Sequence, residues 1–177
     1  MVYYGAKELA FGSRTVRGNT ILIAQDIPED KYNFKAVPEY RTVAQLLAHI
    51  AITSQFQYQI HAVDKLTSFE GFDFPSMMKK ISEEEAKPRT KAQILDLLKE
   101  QGEKWAGYVE SLSDDFLGQR FNMPEGATPP FKSRFEMILS VKEHEMHHRG
   151  QLMVIERLLG IVPHLTRERE ARMAQTK

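Results

Sequence analysis

The sequence predicts an all-α protein, and the simplest arrangement is a four-helix bundle. Four long segments repeat apolar residues at steps of three and four, which places those side chains on one face of a helix. Three helix starts carry a capping box, in which a Ser or Thr precedes a Gln or Glu by three positions. Alternating strand patterns and the Asn-Gly or Asp-Gly turns of β-hairpins are absent from the sequence.

The first predicted helix runs from about Lys7 to Gln25. Its inner face is formed by Leu9, Val16, Thr20 and Ile23. The segment from Asp26 to Tyr40 contains two prolines, so we expect a loop there.

The second and third predicted helices begin at capping boxes, formed by Thr42 with Gln45 and by Thr90 with Gln93. The apolar runs that follow contain Val43, Leu46, Leu47, Ile50, Thr53, Phe56 and Ile60 in one helix and Ile94, Leu97, Leu98, Trp105 and Val109 in the other. Residues 67–88, with their glycine, prolines and a run of Ser and Glu, predict a connector with room for one short helix.

The last long helix is predicted from Ser133 to Leu159, a length of about 40 Å. Ser133 and Glu136 form its capping box, and Gly160 follows it as the usual residue just past a helix end. Residues 122–130 before it predict an irregular connector.

The composition is that of a globular protein, and a chain of 177 residues with 42% hydrophobic residues predicts a single domain over residues 1–177. Twenty-four basic residues balance twenty-four acidic ones without a basic cluster, which argues against a nucleic-acid partner. Neither a signal segment nor an apolar run long enough for a bilayer is present, so we expect a cytoplasmic protein without membrane contact. Without cysteine, a metal site would have only nitrogen and oxygen ligands.

Two histidines on the last helix suggest such a site. His144 and His148 are four residues apart, so their imidazoles project from the same face. The surrounding residues at helical spacing are apolar, which turns this face toward the core: Met137, Val141, Leu152, Ile155 and Leu159. Buried imidazoles need partners, and either a shared cation or ordinary hydrogen bonds would supply them.

A catalytic zinc or nickel site usually needs a third protein ligand, and the best candidate is His49. It lies on the second helix among apolar residues, so it also faces the core. His147 has a more mixed helix face and is assigned to the rim of the site, while His61 and His164 are left out. Thr53, Ser140 and Gln151 are candidates for holding the imidazoles, because each is three or four residues from a proposed ligand.

His49 lies within Leu-Leu-Ala-His-Ile-Ala, and residues 144–151 read His-x-x-x-His-Arg-Gly-Gln. With these two motifs the chain resembles the DinB/YfiT-like metalloproteins over nearly its whole length. The resemblance implies an antiparallel four-helix bundle, usually a homodimer, in which His49, His144 and His148 bind a divalent metal, commonly zinc or nickel. It also implies a small-molecule substrate and, in some members, a low-molecular-weight thiol that the metal activates for transfer or isomerisation.

Two other interpretations stay open. Residues 144–148 also spell His-Glu-x-x-His, the zinc peptidase signature in which Glu145 would be the general base. Position 154, where the extended form of that signature needs histidine, is valine, and the bundle interpretation places Glu145 at the rim of the site or beside a ligand. A stress-response protein that binds metal without catalysis is the other alternative to a metal-dependent transferase or hydrolase.

Overall fold

The computed structural model describes residues 4–175 and is mainly helical. Its elements in chain order are α1 (Ala6–Asp26), a 3₁₀ turn (Glu29–Lys31), α2 (Val43–Tyr58) with a π-helical extension (Gln59–Val63), α3 (Phe74–Glu85), α4 (Lys91–Glu110), α5 (Asp114–Leu117), β1 (Arg120–Asn122), β2 (Phe131–Ser133), α6 (Arg134–Leu158) and α7 (His164–Gln175). No helix among the described residues is both long and apolar enough to cross a membrane.

The four long helices α1, α2, α4 and α6 form the predicted bundle. All three predicted capping boxes are present, with Thr42, Thr90 and Ser133 each accepting a hydrogen bond from the backbone N–H three residues on. These caps satisfy N–H groups that the helix itself leaves unpaired, which is why the starts of α2, α4 and α6 were predictable to within a residue.

The packing shows the direction of each helix. Ile23 near the end of α1 shares a core cluster with Leu46 near the start of α2, Leu98 in the first half of α4 and Leu152 in the second half of α6. At the opposite end, Leu9 packs with residues from the end of α4 and the start of α6. Therefore α1 and α6 run in one direction, and α2 and α4 run in the other.

Because α2 and α4 are parallel, the chain must return along the bundle between them, and α3 lies on this return path. It packs against α2 and has twelve residues, from Phe74 to Glu85. Asp73 caps it by accepting a hydrogen bond from the Ser76 backbone N–H at 3.0 Å. The return brings Glu85 back to the level of the first turns of α2.

The connector before α6 was predicted to be irregular, and this prediction was incomplete. Residues 120–122 and 131–133 form a short antiparallel hairpin in which Phe121 lies opposite Lys132. Phe121 is fully buried and Phe131 is exposed. Strands of three residues are too short for the alternation of side chains to be recognised in the sequence.

Candidate metal centre

Three histidines from two helices converge in the bundle. His49 projects from α2, and His144 and His148 project from α6. The Nε2 atom of His144 lies 3.2 Å from that of His49 and 3.1 Å from that of His148. His49 and His148 are buried and His144 is half-buried. These are the three residues that the sequence nominated as metal ligands.

The helices explain the convergence. Four residues make slightly more than one helical turn, so the rings of His144 and His148 meet edge to face with centroids 4.4 Å apart. α2 packs against α6 in the opposite direction, which brings His49 to the same level. Its ring centroid is 5.0 Å from that of His144 and 4.7 Å from that of His148.

Glu85, at the end of α3, contacts the outer nitrogen of His49, which is Nδ1, the ring nitrogen that points away from the cluster. One carboxylate oxygen lies 2.6 Å from His49 Nδ1, and the other accepts a hydrogen bond from Arg41 Nε at 2.7 Å. Burial alone would raise the pKa of Glu85, but the hydrogen bonds and charges of His49 and Arg41 lower it. An ionised carboxylate can only accept, so Nδ1 of His49 carries a proton, and in a neutral imidazole this leaves a lone pair on Nε2.

Gln151 plays the same part for His148. Its side-chain oxygen lies 2.7 Å from His148 Nδ1 and also accepts a hydrogen bond from the Tyr40 hydroxyl. Its amide nitrogen lies 3.0 Å from His147 Nε2, to which it can donate. With Gln151 oriented in this way, Nδ1 of His148 is the donor and its Nε2 is left with a lone pair facing the cluster.

The electrostatic environment keeps the α6 pair neutral. Burial, followed by the neighbouring imidazoles His148, His49 and His147 and by Arg41, lowers the pKa of His144 to about 4. Burial also lowers the pKa of His148, against the opposing hydrogen bond from Gln151. Neutral imidazoles are the form that binds a metal ion.

The geometry suits a divalent cation. Nitrogen lone pairs that face one another at 3.1–3.2 Å repel unless a proton or a cation lies between them. In a tetrahedral site with metal–nitrogen distances of about 2.05 Å, neighbouring nitrogens are about 3.3 Å apart. The spacing within the histidine cluster is close to this value, and the three residues therefore fit a metal ion.

The other histidines lie outside the cluster. His147 is exposed, and within residues 4–175 its hydrogen-bond and ring contacts are with Gln151 and His148 alone. His61 is buried with its Nδ1 2.9 Å from Arg134 Nη1, and His164 is buried with its Nε2 3.2 Å from Asn19 Oδ1.

Of the three residues expected to hold the imidazoles, only Gln151 does so. The Ser140 hydroxyl instead donates to the Met137 carbonyl at 2.7 Å. Within residues 4–175, Thr53 makes no hydrogen bond to any of the three histidines. The sequence prediction missed Glu85 and Tyr40, which lie in segments expected to be a connector and a loop, and Arg41, which directly precedes the cap of α2.

Glu145 was expected at the rim of the site or beside a ligand, and this prediction was wrong. It points into the bundle, where Arg17 Nε donates to its Oε1 at 2.8 Å and Arg17 Nη2 donates to its Oε2 at 2.9 Å. The Thr20 hydroxyl also donates to it at 2.8 Å. Adjacent residues on a helix point about 100° apart, so Glu145 and His144 occupy different faces of α6.

A cavity of about 350 Å³ lies next to residues that support the cluster, and none of the three histidines lines it. Its lining residues are Glu39, Tyr40, Arg41, Gln45, Ser82, Glu85 and Ala86. Two of them, Glu85 and Tyr40, belong to the hydrogen-bond networks of His49 and His148, so the cavity wall and the support of the cluster share residues.

Comparisons with known proteins agree on the fold. The family model described as the DinB superfamily matches residues 14–152. YfiT from Bacillus subtilis, whose structure is described as that of "a probable metal-dependent hydrolase with an unusual four-helix bundle topology", is 14% identical, with a TM-score of 0.68 and 91% of each chain covered.

Two further structures are similar over most of their length. The DinB-like protein YjoA from Bacillus subtilis is 19% identical, with a TM-score of 0.63 and 86% of this chain and 92% of that chain covered. An uncharacterised protein from Clostridium difficile 630 is 15% identical, with a TM-score of 0.67 and coverage of 89% and 98%. A comparison with curated proteins finds no match.

Proposed function

The chain belongs to the DinB superfamily, and on that premise we propose that it is a metal-dependent protein whose ligands are His49, His144 and His148. The observation that carries the proposal is the convergence of the three Nε2 atoms, with Glu85 and Gln151 holding the outer nitrogens of His49 and His148. Metal-binding histidines in proteins are typically supported in this way.

The donor set favours zinc or nickel. Imidazole nitrogen suits both metals, and the chain has no cysteine that would select for thiolate coordination. Three protein ligands correspond to a catalytic site, because structural zinc sites normally have four. When bound, the metal would lower the pKa of a water or a thiol so that it becomes a nucleophile near neutral pH.

We propose a transfer, isomerisation or hydrolysis reaction on a small electrophilic molecule. A thiol nucleophile would have to be a separate low-molecular-weight compound, since the chain contains no cysteine. The description of YfiT as a metal-dependent hydrolase supports the hydrolytic form of the proposal. The cavity supports a catalytic role over metal binding alone, because a small molecule bound there would contact Glu85 and Tyr40, which support the cluster.

The structure argues against the peptidase alternative, because Glu145 is not placed to act as the general base. Glu145 would have to act on a nucleophile at the metal, but its carboxylate is paired with Arg17 and Thr20 on another face of α6. Breaking a buried ion pair of this kind is strongly unfavourable.

The test is metal content, measured by mass spectrometry on untagged protein. We expect about one zinc or nickel ion per chain, lost or sharply reduced in His49→Ala, His144→Ala and His148→Ala. His147→Ala is the matched control and should retain the metal, because His147 lies outside the cluster.

Circular dichroism of each variant separates loss of metal from loss of fold. Folded wild-type protein that takes up neither zinc nor nickel would refute the proposal. The homodimer, the stress-response role and the cytoplasmic location stay predictions, and sedimentation analysis tests the first of them.

A further inference from the structure

The cavity beside the histidine cluster contains one cation, Arg41, which immediately precedes the cap of α2. Its Nε donates to Glu85 at 2.7 Å, and this bond fixes the side chain against the residue that also holds His49. About a third of the Arg41 side chain is exposed. The arginine is therefore anchored at one end and accessible at the other.

The accessible end of Arg41 has unused hydrogen-bonding capacity. Among the described residues, neither Nη1 nor Nη2 of Arg41 has an acceptor. Each is an NH₂ group with two donors, and together they form the planar fork that binds a carboxylate. By comparison, the buried Arg17 uses all three of its nitrogens.

With a divalent ion bound to the histidines, the local charges would favour an anion beside Arg41. Glu85 carries one negative charge, which Arg41 balances. A divalent ion on the histidines would make the whole region positive. Glu39 also lines the cavity, but it is exposed, and solvent screens its charge. Arg41 is linked to the cluster through Glu85, whose two carboxylate oxygens contact Arg41 Nε at 2.7 Å and His49 Nδ1 at 2.6 Å.

We propose that Arg41 binds a carboxylate of the small molecule that reacts at the histidine cluster, so that the protein selects carboxylated substrates or thiols. The inference rests on the proposed function and names the class of ligand for the same site. A volume of about 350 Å³ is enough for a small molecule, and the contact between Glu85 and both Arg41 and His49 places the arginine one residue away from the cluster.

The probe is a pair of thiols of equal length, 3-mercaptopropionate and 3-mercapto-1-propanol, titrated into cobalt-loaded protein and followed through the thiolate-to-cobalt absorption band. The alcohol needs the metal but not the arginine, so its affinity reports on the metal site. We expect wild-type protein to prefer the carboxylated thiol by on the order of 10-fold, as one charge-assisted pair supplies.

Arg41→Gln should abolish this preference, measured as the ratio of the two affinities, because any effect of the substitution on the metal site through Glu85 changes the binding of both thiols alike. Arg41→Lys should retain part of the preference, since it keeps the charge and loses the fork. Arg120→Gln is the matched control: Arg120 is an exposed arginine that stacks on Phe131 in the hairpin, and its replacement should leave the preference unchanged. An equal preference in wild-type protein and Arg41→Gln would overturn the inference.

The experiment distinguishes a protein that does not bind metal from one that binds metal but does not recognise a carboxylate. Protein that binds no cobalt would refute the proposed function, and the carboxylate site would then be judged on metal-free protein titrated with succinate and with 1,4-butanediol by NMR. Saturable shifts with succinate alone that disappear in Arg41→Gln would support the inference, and shifts that persist in that variant would overturn it.

Discussion

Glu156 on α6 should make the stability of the protein depend on pH. Its side chain is fully buried, and neither carboxylate oxygen has a hydrogen-bond partner among the described residues. Burial, reinforced by the negative charge of Asp26 and partly offset by Arg167 and Arg157, raises its pKa from 4.5 to about 7. The carboxyl group is thus protonated in the folded protein under conditions in which it ionises in the unfolded chain.

The size of the effect follows from the two pKa values. A difference of about 2.5 units at 1.36 kcal/mol per unit corresponds to about 3 kcal/mol. Between these two values the unfolded chain binds fewer protons than the folded protein. The contribution is fully present below pH 4.5, falls as the pH rises toward 7, and is absent above that. The Glu156→Gln side chain has no proton to lose, so this variant should not show the decline in the free energy of unfolding that Glu156 causes between pH 4.5 and 7.

The assay is urea unfolding between pH 5 and pH 8. Burial lowers the pKa of both His61 and His144 to about 4, and their contributions rise with pH, so the wild-type curve alone combines opposing effects. The difference between Glu156→Gln and wild type isolates the glutamate. We expect this difference to shift by roughly 2–3 kcal/mol in favour of the variant from pH 5 to pH 8.

The exposed Glu100 supplies the control, and Glu100→Gln should give a difference that does not change with pH. If the curve for Glu156→Gln runs parallel to the wild-type curve over the whole range, Glu156 ionises as an ordinary carboxylate and the reasoning from burial is refuted.

Three further changes test the support of the cluster and of the bundle. Glu85→Gln should weaken zinc binding by about 10–100-fold in a chelator competition, because it loosens the hold on His49 Nδ1, while the exposed Glu83→Gln should leave affinity unchanged. Gly102→Ala should destabilise the protein by about 1–3 kcal/mol in urea unfolding, because the added Cβ would lie 2.7 Å from Cγ of the buried Arg17. A loss of stability under about 0.5 kcal/mol would show that the Arg17 side chain moves aside freely. Ser133→Ala should cost about 1 kcal/mol in the same assay by removing the cap of α6, and an unchanged midpoint would contradict the role of that cap.

Local chemistry made the bundle predictable. A capping box involves residues three positions apart, and an apolar stripe involves residues on one helix, so both can be recognised without knowing the fold. The first helix was predicted at about Lys7 to Gln25 and is observed from Ala6 to Asp26. The same reasoning located His49, His144 and His148, since each lies on the side of its helix that faces the core of the bundle.

Glu85 could not be found in this way. Its partners Arg41 and His49 are 44 and 36 residues away, and they meet only because the chain returns along the bundle between two parallel helices. In the sequence, Glu85 is the last of three consecutive glutamates in a segment expected to be a connector. One signal was present: Asp73 before Phe-Pro-Ser is a typical helix start, with proline in the first turn, and it would have predicted α3.

The position of Glu145 shows why a short motif is not sufficient to assign chemistry on a helix that is buried on two sides. The His-Glu-x-x-His spacing fixes the two histidines on one face and directs the glutamate about 100° away, whatever the fold. What the glutamate does then depends on its partner. Here that partner is Arg17, whose third nitrogen donates to the Leu98 carbonyl at 2.7 Å, so the carboxylate is part of a satisfied network that ties α6 to α1 and α4. The histidine face and the Glu145 face of α6 therefore serve separate purposes. The chemistry of this protein should be sought on the side of the cluster that Glu85, Gln151 and Arg41 surround.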